Sequence, residues 1–276
     1  MTVSTSKTEK VPGSRPAGVH DEREAAAHVQ QMFGAIAPRY DFLNHLLSFS
    51  LDHVWRWRTA RRFRNILRRP EARVLDVCCG TGDLAFALDR ARASLIGGPP
   101  DKRRLPVFGS DFVEGMLERA RGKARRHARG TIFAAADALQ LPFGDASFDL
   151  VTSAFGFRNL ANYESGLREF ARVLKPGGEL GILEFTEPGR GPLAGIFRFY
   201  FRHVLPRIGG AISGNNEAYA YLPGSVARFP SPEALAALMG RTGFSDVRIA
   251  SWNFGSVILH TARRTEATAH FERDAR

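Results

Sequence analysis

The amino-acid sequence predicts an α/β fold in which a mostly parallel sheet of seven strands is covered by helices on both faces. From residue 73 onward, short apolar segments of strand length alternate with segments of helical periodicity, and glycine-containing turns separate them. The 276 residues, 44% hydrophobic and 24% charged, are enough to bury the core of one such domain. Right-handed crossovers between parallel strands then distribute the helices over both faces of the sheet.

The elements are assigned in chain order from their periodicity and their turn residues. This divides the chain into a flexible tail (1–24), an N-terminal helical cap (25–70), an α/β domain (71–264) with a lid segment at about 187–230, and a C-terminal tail (265–276). The predicted strands are Val74–Val77, Val107–Ser110, Thr131–Ala134, Phe148–Ser153, Glu179–Phe185, Val247–Ala250 and Ser256–Thr261. The predicted helices of the domain are Leu84–Ala91, Val113–His127, Glu164–Leu174 and Ser231–Gly240, the last with Ser231 as its N-cap.

Composition and charge exclude several classes of protein. The two cysteines, Cys78 and Cys79, are adjacent, so the chain has neither a disulfide framework nor a four-cysteine zinc site. The 8 histidines show no metal-ligand spacing, and no metal is predicted. No apolar run reaches the ~18 residues of a spanning helix and no signal peptide is recognisable, which predicts a cytoplasmic protein. The net charge of +11 permits contact with anionic lipids but does not by itself predict nucleic-acid binding.

A glycine-containing turn after the first predicted strand is the sharpest local signal. The segment Val74–Asp83 reads Val-Leu-Asp-Val-Cys-Cys-Gly-Thr-Gly-Asp, and Gly80 and Gly82 allow a ligand to approach the backbone at the carboxyl end of the strand. Asp83 places a carboxylate at the start of the next helix, where it disfavours a phosphate and favours a ligand with a cationic centre, such as S-adenosylmethionine. A tight turn with two buried cysteines is the alternative.

Two further carboxylates follow the next two strands. Asp111 ends the second strand and can accept hydrogen bonds from both hydroxyls of a ribose, although it can equally cap the following helix. Asp137 follows the third strand and can accept the exocyclic amine of adenine, while Ala138 packs against the ring. With the glycine turn and an architectural turn at Leu174–Gly178, these carboxylates form an ordered set of four motifs.

The order of these motifs resembles that of the class I S-adenosylmethionine-dependent methyltransferases, which have a Rossmann-like fold. Further segments resemble, more narrowly, the ubiquinone/menaquinone biosynthesis C-methyltransferase family. These segments are Met32–Asn44, Phe155–Asn159, Leu183–Phe185 and Tyr219–Ser225. The resemblance covers roughly residues 29–262. One departure is Ala154, because some members of the family have serine just before the Phe-Gly-x-Arg-Asn motif.

The resemblance implies transfer of a methyl group from S-adenosylmethionine to a ring carbon of a polyprenylated quinol. Conversion of demethylmenaquinol to menaquinol is the first choice, and C-methylation of 2-polyprenyl-6-methoxy-benzoquinol in the ubiquinone branch is the alternative. An RNA methyltransferase and a non-catalytic methyltransferase-like subunit are the other classes left open. The residues expected to bind the cofactor are Asp76, Gly80, Thr81, Gly82, Asp111, Asp137, Ala138 and Ala154.

The chemistry of transfer to carbon indicates the remaining site residues. A ring carbon becomes a good nucleophile only when a neighbouring hydroxyl of the reduced quinol loses its proton, so the site must stabilise a phenolate. Arg158 and Asn159 are expected to do so, and Asp41 or a water is expected to accept the proton. The residues expected at the substrate or in the lid are Tyr40, Asn44, Phe155 and Tyr221. For Tyr40 and Asn44, a simple helix break is the alternative.

The implied quinol tail and the positive charge indicate contact with a membrane surface. A long isoprenoid chain needs an apolar channel, and aromatic residues such as Trp55 and Phe199 are candidates for its walls. The arginines between residues 56 and 69 either face anionic lipid headgroups at the inner face of the membrane or form a solvated helix face. No nucleic-acid partner is expected, and the oligomeric state is not predicted.

Overall fold

The structure is a computed structural model that describes residues 13–14, 19, 21–41, 45, 48–97, 104–127, 130–187, 195, 199 and 216–266. The helices are α1 (Glu22–Ile36), α2 (Leu51–Arg62), α3 (Arg64–Leu67), α4 (Asp83–Ile96), α5 (Glu114–Arg126), α6 (Tyr163–Val173), α7 (Asn216–Arg228) and α8 (Pro232–Arg241). The strands are β1 (Val74–Val77), β2 (Val107–Asp111), β3 (Ile132–Ala135), β4 (Phe148–Ala154), β5 (Leu174–Phe185), β6 (Phe244–Trp252) and β7 (Val257–Arg264). Short 3₁₀ turns span Ala37–Arg39, Phe157–Asn159 and Asn253–Gly255.

The strands form one seven-stranded sheet in the order β3-β2-β1-β4-β5-β7-β6. Strands β1 to β5 run parallel, whereas β7 lies antiparallel between β5 and β6. The strand order reverses between β1 and β4, which are neighbours near the centre of the sheet. Such a reversal opens a crevice beyond the carboxyl ends of the central strands, and ligands of open α/β sheets bind there.

Helices cover both faces of the sheet, so its central strand is buried on both sides. All four residues of β1 are buried. Its sequence is therefore apolar except for one aspartate, and it shows no alternation of apolar and polar residues. Helix α6 buries Tyr163 and Phe170 in a cluster that contains Leu75 of β1. Helices α4 and α5 belong to a second cluster, which contains the neighbouring Val74 and therefore lies on the other face.

The α/β class, the seven-stranded mostly parallel sheet and the order of the predicted elements are confirmed. Ser231 caps α8 as predicted, because its hydroxyl accepts the amide of Ala234 at 3.2 Å. Helix α4 is longer than predicted and continues past Ala91 to Ile96. Its last turns carry no apolar periodicity of their own, so the sequence pattern ends before the helix does.

Strand β5 differs from its prediction at its beginning. It starts at Leu174, which pairs with Phe148 of β4, and the register shifts before Leu150 pairs with Glu179. The predicted turn Lys-Pro-Gly-Gly therefore lies inside the strand as an irregularity and does not precede it. In the predicted lid, α7 is described, whereas most residues between 187 and 216 lie outside the described part of the chain.

The predicted N-terminal tail is anchored at one described point. Ser14 is 5% exposed, its amide donates to the carbonyl oxygen of Leu160 at 2.7 Å, and its hydroxyl lies 2.7 Å from that of Tyr221. The sequence predicts flexibility throughout residues 1–24, and these contacts of Ser14 differ from that prediction. Since both partners are more than a hundred residues away, no local pattern could have indicated the anchor.

Candidate active site

An open cleft of about 980 Å³ lies at the carboxyl ends of β1, β2 and β4. Side chains of α1 and α2 form part of its wall, so the N-terminal helices close one side of the crevice. The predicted site residues that line it are Tyr40, Asp76, Gly80, Thr81, Asp111, Asp137, Ala138, Ala154, Phe155 and Asn159. Asp41, Gly82, Arg158 and Tyr221 adjoin these residues without being part of the lining, and Asn44 lies outside the described residues.

The turn between β1 and α4 exposes backbone atoms to the cleft, because two of its residues are glycines without a side chain. Gly80 and Gly82 have φ angles of 54° and 88°, a left-handed conformation that favours glycine. A Cβ atom at Gly82 would lie 2.8 Å from the Phe133 ring, so the ring packs directly on the backbone. Cys78 and Cys79 also line the cleft, and burial raises the pKa of both thiols well above the usual range. They are therefore neutral wall residues.

Asp111 ends β2 with its carboxylate against the glycine turn. Its Oδ2 accepts the Gly80 amide at 2.8 Å, and its Oδ1 accepts the Val113 amide at 3.0 Å. Burial raises the pKa of Asp111, and the bonds from backbone amides offset part of that rise. The N-cap residue of α5 is Val113 and no described side chain caps this helix, so the capping role considered as an alternative for Asp111 is wrong. The bond to Val113 instead fixes the turn before α5, and the same carboxylate also lines the cleft.

Asp76 is a buried carboxylate in the cleft wall with one oxygen left over. Its Oδ1 accepts a hydrogen bond from Thr152 at 2.8 Å, whereas Oδ2 has no hydrogen-bond partner among the described residues. Burial raises the pKa of Asp76 to about 7, because the hydrogen bonds from Thr152 and from the Ala85 backbone compensate only partly. A buried acid with an unused acceptor beside a cleft is suited to a ligand group that carries positive charge.

Asp83 does not offer a free carboxylate to a ligand, which corrects the role expected for it at the start of α4. Its Oδ1 accepts a hydrogen bond from Lys123 at 2.8 Å, and its Oδ2 lies 3.7 Å from a guanidinium nitrogen of Arg56. Burial alone would raise the pKa of Asp83, but the two cations outweigh burial and lower it. The charge is neutralised within the protein, so a preference for a cationic ligand depends on Asp76 and Asp111.

Lys123 of α5 connects the N-terminal helices to the glycine turn. Its ammonium group donates to the Thr81 hydroxyl at 2.9 Å and lies 2.6 Å from Asp41 Oδ2. The Thr81 hydroxyl in turn donates to Asp41 Oδ1. Asp41 is therefore held beside the predicted cofactor residues. Its role as proton acceptor stays a prediction.

The loop after β4 forms the other end of the cleft. Phe155, with a φ of 59°, and Asn159 line it, and Asn159 Oδ1 accepts a hydrogen bond from the Tyr221 hydroxyl at 3.2 Å. Arg158 is 4% exposed; its guanidinium pairs with Glu184 at 2.9 Å and donates to the Phe155 carbonyl oxygen. Desolvation would lower the pKa of Arg158, but Glu184 outweighs it and raises the pKa. Arg158 thus supports the loop from within the protein.

Three charged residues of this region were not assigned to the site from the sequence. Arg56 lines the cleft, with its guanidinium carbon 5.8 Å from the centre of the Phe155 ring and a hydrogen bond to Asp52. The sequence did not single out Arg56, because several arginines lie near it and only its angular position around the helix distinguishes it from the exposed ones. Glu184 belongs to a motif segment but had no assigned role. Lys123 carried no local signal, since its partners are about 40 residues away in sequence.

Comparison with solved structures shows the fold. A SAM-dependent methyltransferase from Thermotoga maritima has a TM-score of 0.56 at 18% identity, and the match covers 84% of this chain and 98% of that chain. The sheet order, the glycine turn and the acidic strand ends together define a class I S-adenosylmethionine-dependent methyltransferase. The model of the ubiE/COQ5 methyltransferase family matches residues 19–264, and the chain belongs to this family.

Two curated relatives are each 48% identical to the chain. The demethylmenaquinone methyltransferase of Deinococcus radiodurans aligns over 240 residues, which is 86% of this chain and 92% of the relative. The demethylmenaquinone methyltransferase of Thermus thermophilus aligns over 236 residues, which is 84% of this chain and 100% of the relative. The alignments therefore extend over the helical cap as well as the sheet.

The cleft fits S-adenosylmethionine, the cofactor of this class. Its lining combines apolar side chains such as that of Leu139 with a few carboxylates, which is typical of a small-molecule site. The unused oxygen of Asp76 suits the positive charge of the methionine portion, and the carboxylate of Asp111 can accept from ribose hydroxyls. Asp137 and the buried Ala138 would hold the adenine. The individual contacts stay predictions.

Proposed function

We propose that this protein transfers a methyl group from S-adenosylmethionine to a ring carbon of a polyprenylated quinol in respiratory quinone biosynthesis, with demethylmenaquinol as its substrate. Family membership supports the methyl transfer, and the names of the two relatives described above support the menaquinone ring. A benzoquinol of the ubiquinone branch is the alternative acceptor, and the experiment below includes it.

One observation carries the proposal: the cofactor side and the acceptor side line a single cleft. Asp111 at one end and Phe155 and Asn159 at the other belong to the same wall, so a donor and an aromatic ring can meet directly. Separate cavities for these residues would have excluded transfer. Val29 and Phe33 of α1 add apolar surface to the wall, which suits a quinol ring and the first part of its tail.

The residues of the chain would prepare the acceptor for attack. S-adenosylmethionine, when bound, would supply the methyl group, and S-adenosylhomocysteine would be the leaving group. We assign Arg56 and the Asn159 amide to the phenolate oxygen, because both groups line the cleft. Arg158 takes a positioning role, since its guanidinium holds the Phe155 carbonyl group. Asp41 or a water accepts the hydroxyl proton. After methyl transfer, the proton on the methylated ring carbon passes to a water as the ring becomes aromatic again, and the product oxygen regains the hydroxyl proton.

The test is a transfer assay with isotopically labelled S-adenosylmethionine and demethylmenaquinol, offered in reduced and in oxidised form. Label should enter the reduced form only, because the oxidised quinone has no hydroxyl to ionise. Parallel reactions with 2-polyprenyl-6-methoxy-benzoquinol and with total RNA test the two other acceptors. Faster labelling of the benzoquinol would contradict the menaquinone assignment, whereas labelling of RNA alone or of the oxidised quinone would contradict the reaction itself.

The affinity for S-adenosylmethionine is expected to increase with pH near neutrality. Asp76 has a pKa of about 7, and a cationic group beside its Oδ2 binds the ionised form. Because only the ionised fraction is competent, the apparent Kd at pH 6 should exceed that at pH 8 about tenfold. Binding should also release a proton near pH 7. Titration calorimetry in buffers of different ionisation enthalpy measures both quantities.

Two variants identify the group that titrates. Asp76→Asn should bind the cofactor more weakly and should lose the pH dependence, because the amide does not ionise in this range. Asp145→Asn changes an exposed carboxylate that pairs with Arg172, and should keep the dependence of the natural chain. A dependence that survives in Asp76→Asn would assign the titration to another group. Stronger binding at pH 6 than at pH 8 would contradict the predicted sign.

A polyprenylated substrate resides in a bilayer, and we propose peripheral contact of the protein with the anionic inner face of the membrane. The arginines between residues 56 and 69 do not all take part. Arg56 is buried in the cleft wall, and Arg69 pairs with Asp149 at 2.9 Å. The arginines of this segment that are exposed and form no ion pair with a described carboxylate are Arg58, Arg61, Arg62, Arg64 and Arg68.

A further inference from the structure

Helix α2 has an inner face that contributes to the cleft and an outer face that is exposed. The inner face consists of Asp52, Trp55, Arg56, Thr59 and Ala60, all buried. The outer face consists of Val54, Trp57, Arg58 and Arg61, all exposed. At about 100° per residue the two sets lie on opposite sides of the helix. The residues on the outer face of α2 therefore do not contribute to the cleft, and the cleft does not explain which residues are found there.

The outer face combines a large apolar side chain with positive charge. Trp57 is 52% exposed and Val54 is 41% exposed. The guanidinium carbon of Arg61 lies 4.7 Å from the centre of the Trp57 ring, so the cation and the ring form one stacked unit. Amphipathic tryptophan and arginine side chains of this kind are favoured at the boundary between lipid headgroups and acyl chains.

An exposed phenylalanine lies beside the outer face. Phe254 is 75% exposed, and its φ angle is 58°. Trp252, two residues before it, has its ring centre 5.9 Å from the guanidinium carbon of Arg58 on the outer face. A left-handed backbone is costly for a bulky residue, and the Phe254 ring does not recover that cost by burial in the protein. Insertion of this ring into an apolar layer would account for the arrangement.

The charge of the segment indicates which apolar layer it contacts. Between residues 48 and 69 the only acidic residue is Asp52, which is 3% exposed and paired with Arg56. Within the described part of the chain, Arg58, Arg61, Arg62, Arg64 and Arg68 form no ion pair with a carboxylate. Apolar rings surrounded by unpaired cations, without an exposed acid in the segment, are complementary to a surface of anionic lipid.

We propose that the outer face of α2, together with Phe254, docks the protein onto the surface of an anionic bilayer. Trp55 on the inner side of the same helix packs against Phe155 with ring centres 5.9 Å apart. The acceptor end of the cleft therefore lies about one helix diameter, ~10 Å, from the lipid. A quinol ring can enter the cleft while its tail stays in the bilayer. This purpose rests on the proposed function, whereas the docking itself does not.

The test is co-sedimentation of the full chain with vesicles of phosphatidylcholine, with or without phosphatidylglycerol, in the absence of cofactor and quinol. The described helices include none long and apolar enough to span a bilayer, so insertion of a helix does not complicate the measurement for that part of the chain. The protein should bind the anionic vesicles and should be released by salt, because lipid charge is screened within a Debye length. Trp57→Ser should weaken the binding.

Charge reversal on the outer face should have the larger effect. Each basic residue near an anionic surface contributes about 1 kcal/mol, so Arg58→Glu with Arg61→Glu should lower the partition coefficient at least about 30-fold. Ile132→Ser, at a 50% exposed site on the edge strand β3, is the matched control for Trp57→Ser. Arg125→Glu with Arg126→Glu, at exposed sites on α5, is the matched control for charge. Both controls should keep most of the vesicle binding.

The outcomes separate docking from catalysis. Equal binding to neutral vesicles, no binding by the natural chain, or equal losses in the outer-face variants and their controls would overturn the proposal. Turnover of a short-chain demethylmenaquinol in detergent should be unchanged in the outer-face variants, and its loss there would show that this surface serves the cleft. Vesicle binding without turnover of any quinol by the natural chain would refute the proposed function alone. Arg61→Glu by itself replaces the double variant if thermal unfolding shows that the latter is destabilised.

Discussion

Replacement of Asp111 by alanine is expected to weaken the binding of S-adenosylmethionine about 100-fold. The two predicted hydrogen bonds from ribose hydroxyls to the carboxylate would contribute about 1.5 kcal/mol each, and their sum of about 3 kcal/mol corresponds to roughly this factor. The variant also removes the acceptor of the Gly80 and Val113 amides, so the glycine turn loses a support. Titration calorimetry measures the change, and circular dichroism confirms that the variant folds.

The control variants separate ribose binding from support of the backbone. Asp111→Asn keeps the shape of the side chain and one acceptor oxygen, so its affinity should fall between those of the natural chain and of the alanine variant. Asp145→Ala removes a carboxylate whose side chain is 78% exposed, and it should bind the cofactor normally. Normal affinity in Asp111→Ala would show that the carboxylate only supports the turns at Gly80 and Val113 and does not bind the ribose.

Replacement of Arg158 by alanine is expected to lower the free energy of unfolding by about 3–5 kcal/mol and to abolish turnover. The side chain of Glu184 is 1% exposed and would lose its counter-ion while it remains buried. The Phe155 carbonyl oxygen would lose a donor at the same time, so the loop that lines the acceptor end of the cleft would shift. Urea denaturation measures the stability, and the transfer assay measures turnover.

A neutral pair separates the two effects. Arg158→Met combined with Glu184→Gln removes both charges. In the natural chain the backbone amide of Arg158 donates a hydrogen bond to Glu184 at 3.0 Å, and the glutamine oxygen can still accept this bond. This double variant should regain most of the stability but little of the turnover, with near-normal cofactor affinity. Arg168→Ala breaks an exposed pair with Glu164 and should change the stability by less than about 0.5 kcal/mol.

Two results would contradict this account of the Arg158 pair. Full turnover in the neutral double variant would show that the pair serves stability alone and does not position the acceptor loop. A loss of stability in Arg158→Ala as small as that of Arg168→Ala would show that Glu184 does not need a buried counter-ion. A large loss of cofactor affinity in the stable double variant would instead assign Arg158 to the cofactor side of the cleft.

The motif that contains Arg158 shows how far local sequence could predict the site. The sequence placed Phe155, Arg158 and Asn159 just past β4, and the structure has the first and last of these in the cleft wall. The burial of Arg158 could not be predicted, because its partner Glu184 is 26 residues away on the neighbouring β5. The two side chains meet only because β4 and β5 pair in parallel with Ala154 opposite Leu183.

The arginine-rich segment shows a second limit of the same kind. Helical periodicity separates Arg56 from Arg58 and Arg61 on α2, yet it does not say which side of the helix faces the sheet. The packing of Trp55 against Phe155 and Phe185 decides that orientation. It directs Arg56 into the cleft wall and leaves the other two exposed.

The sequence by itself predicted most of each strand, the glycine turn and the acidic strand ends, because periodicity and turn chemistry act over a few neighbouring residues. The methyltransferase class was indicated by the resemblance of its motifs to a known family. Only the tertiary structure decided which charges are neutralised and which remain available to ligands or lipid. Asp83 is paired with Lys123 and Arg158 with Glu184, whereas one oxygen of Asp76 has no described partner. Coulomb attraction and desolvation depend on distances in space, and residues far apart in the chain come within hydrogen-bonding distance only when the sheet and its helices assemble.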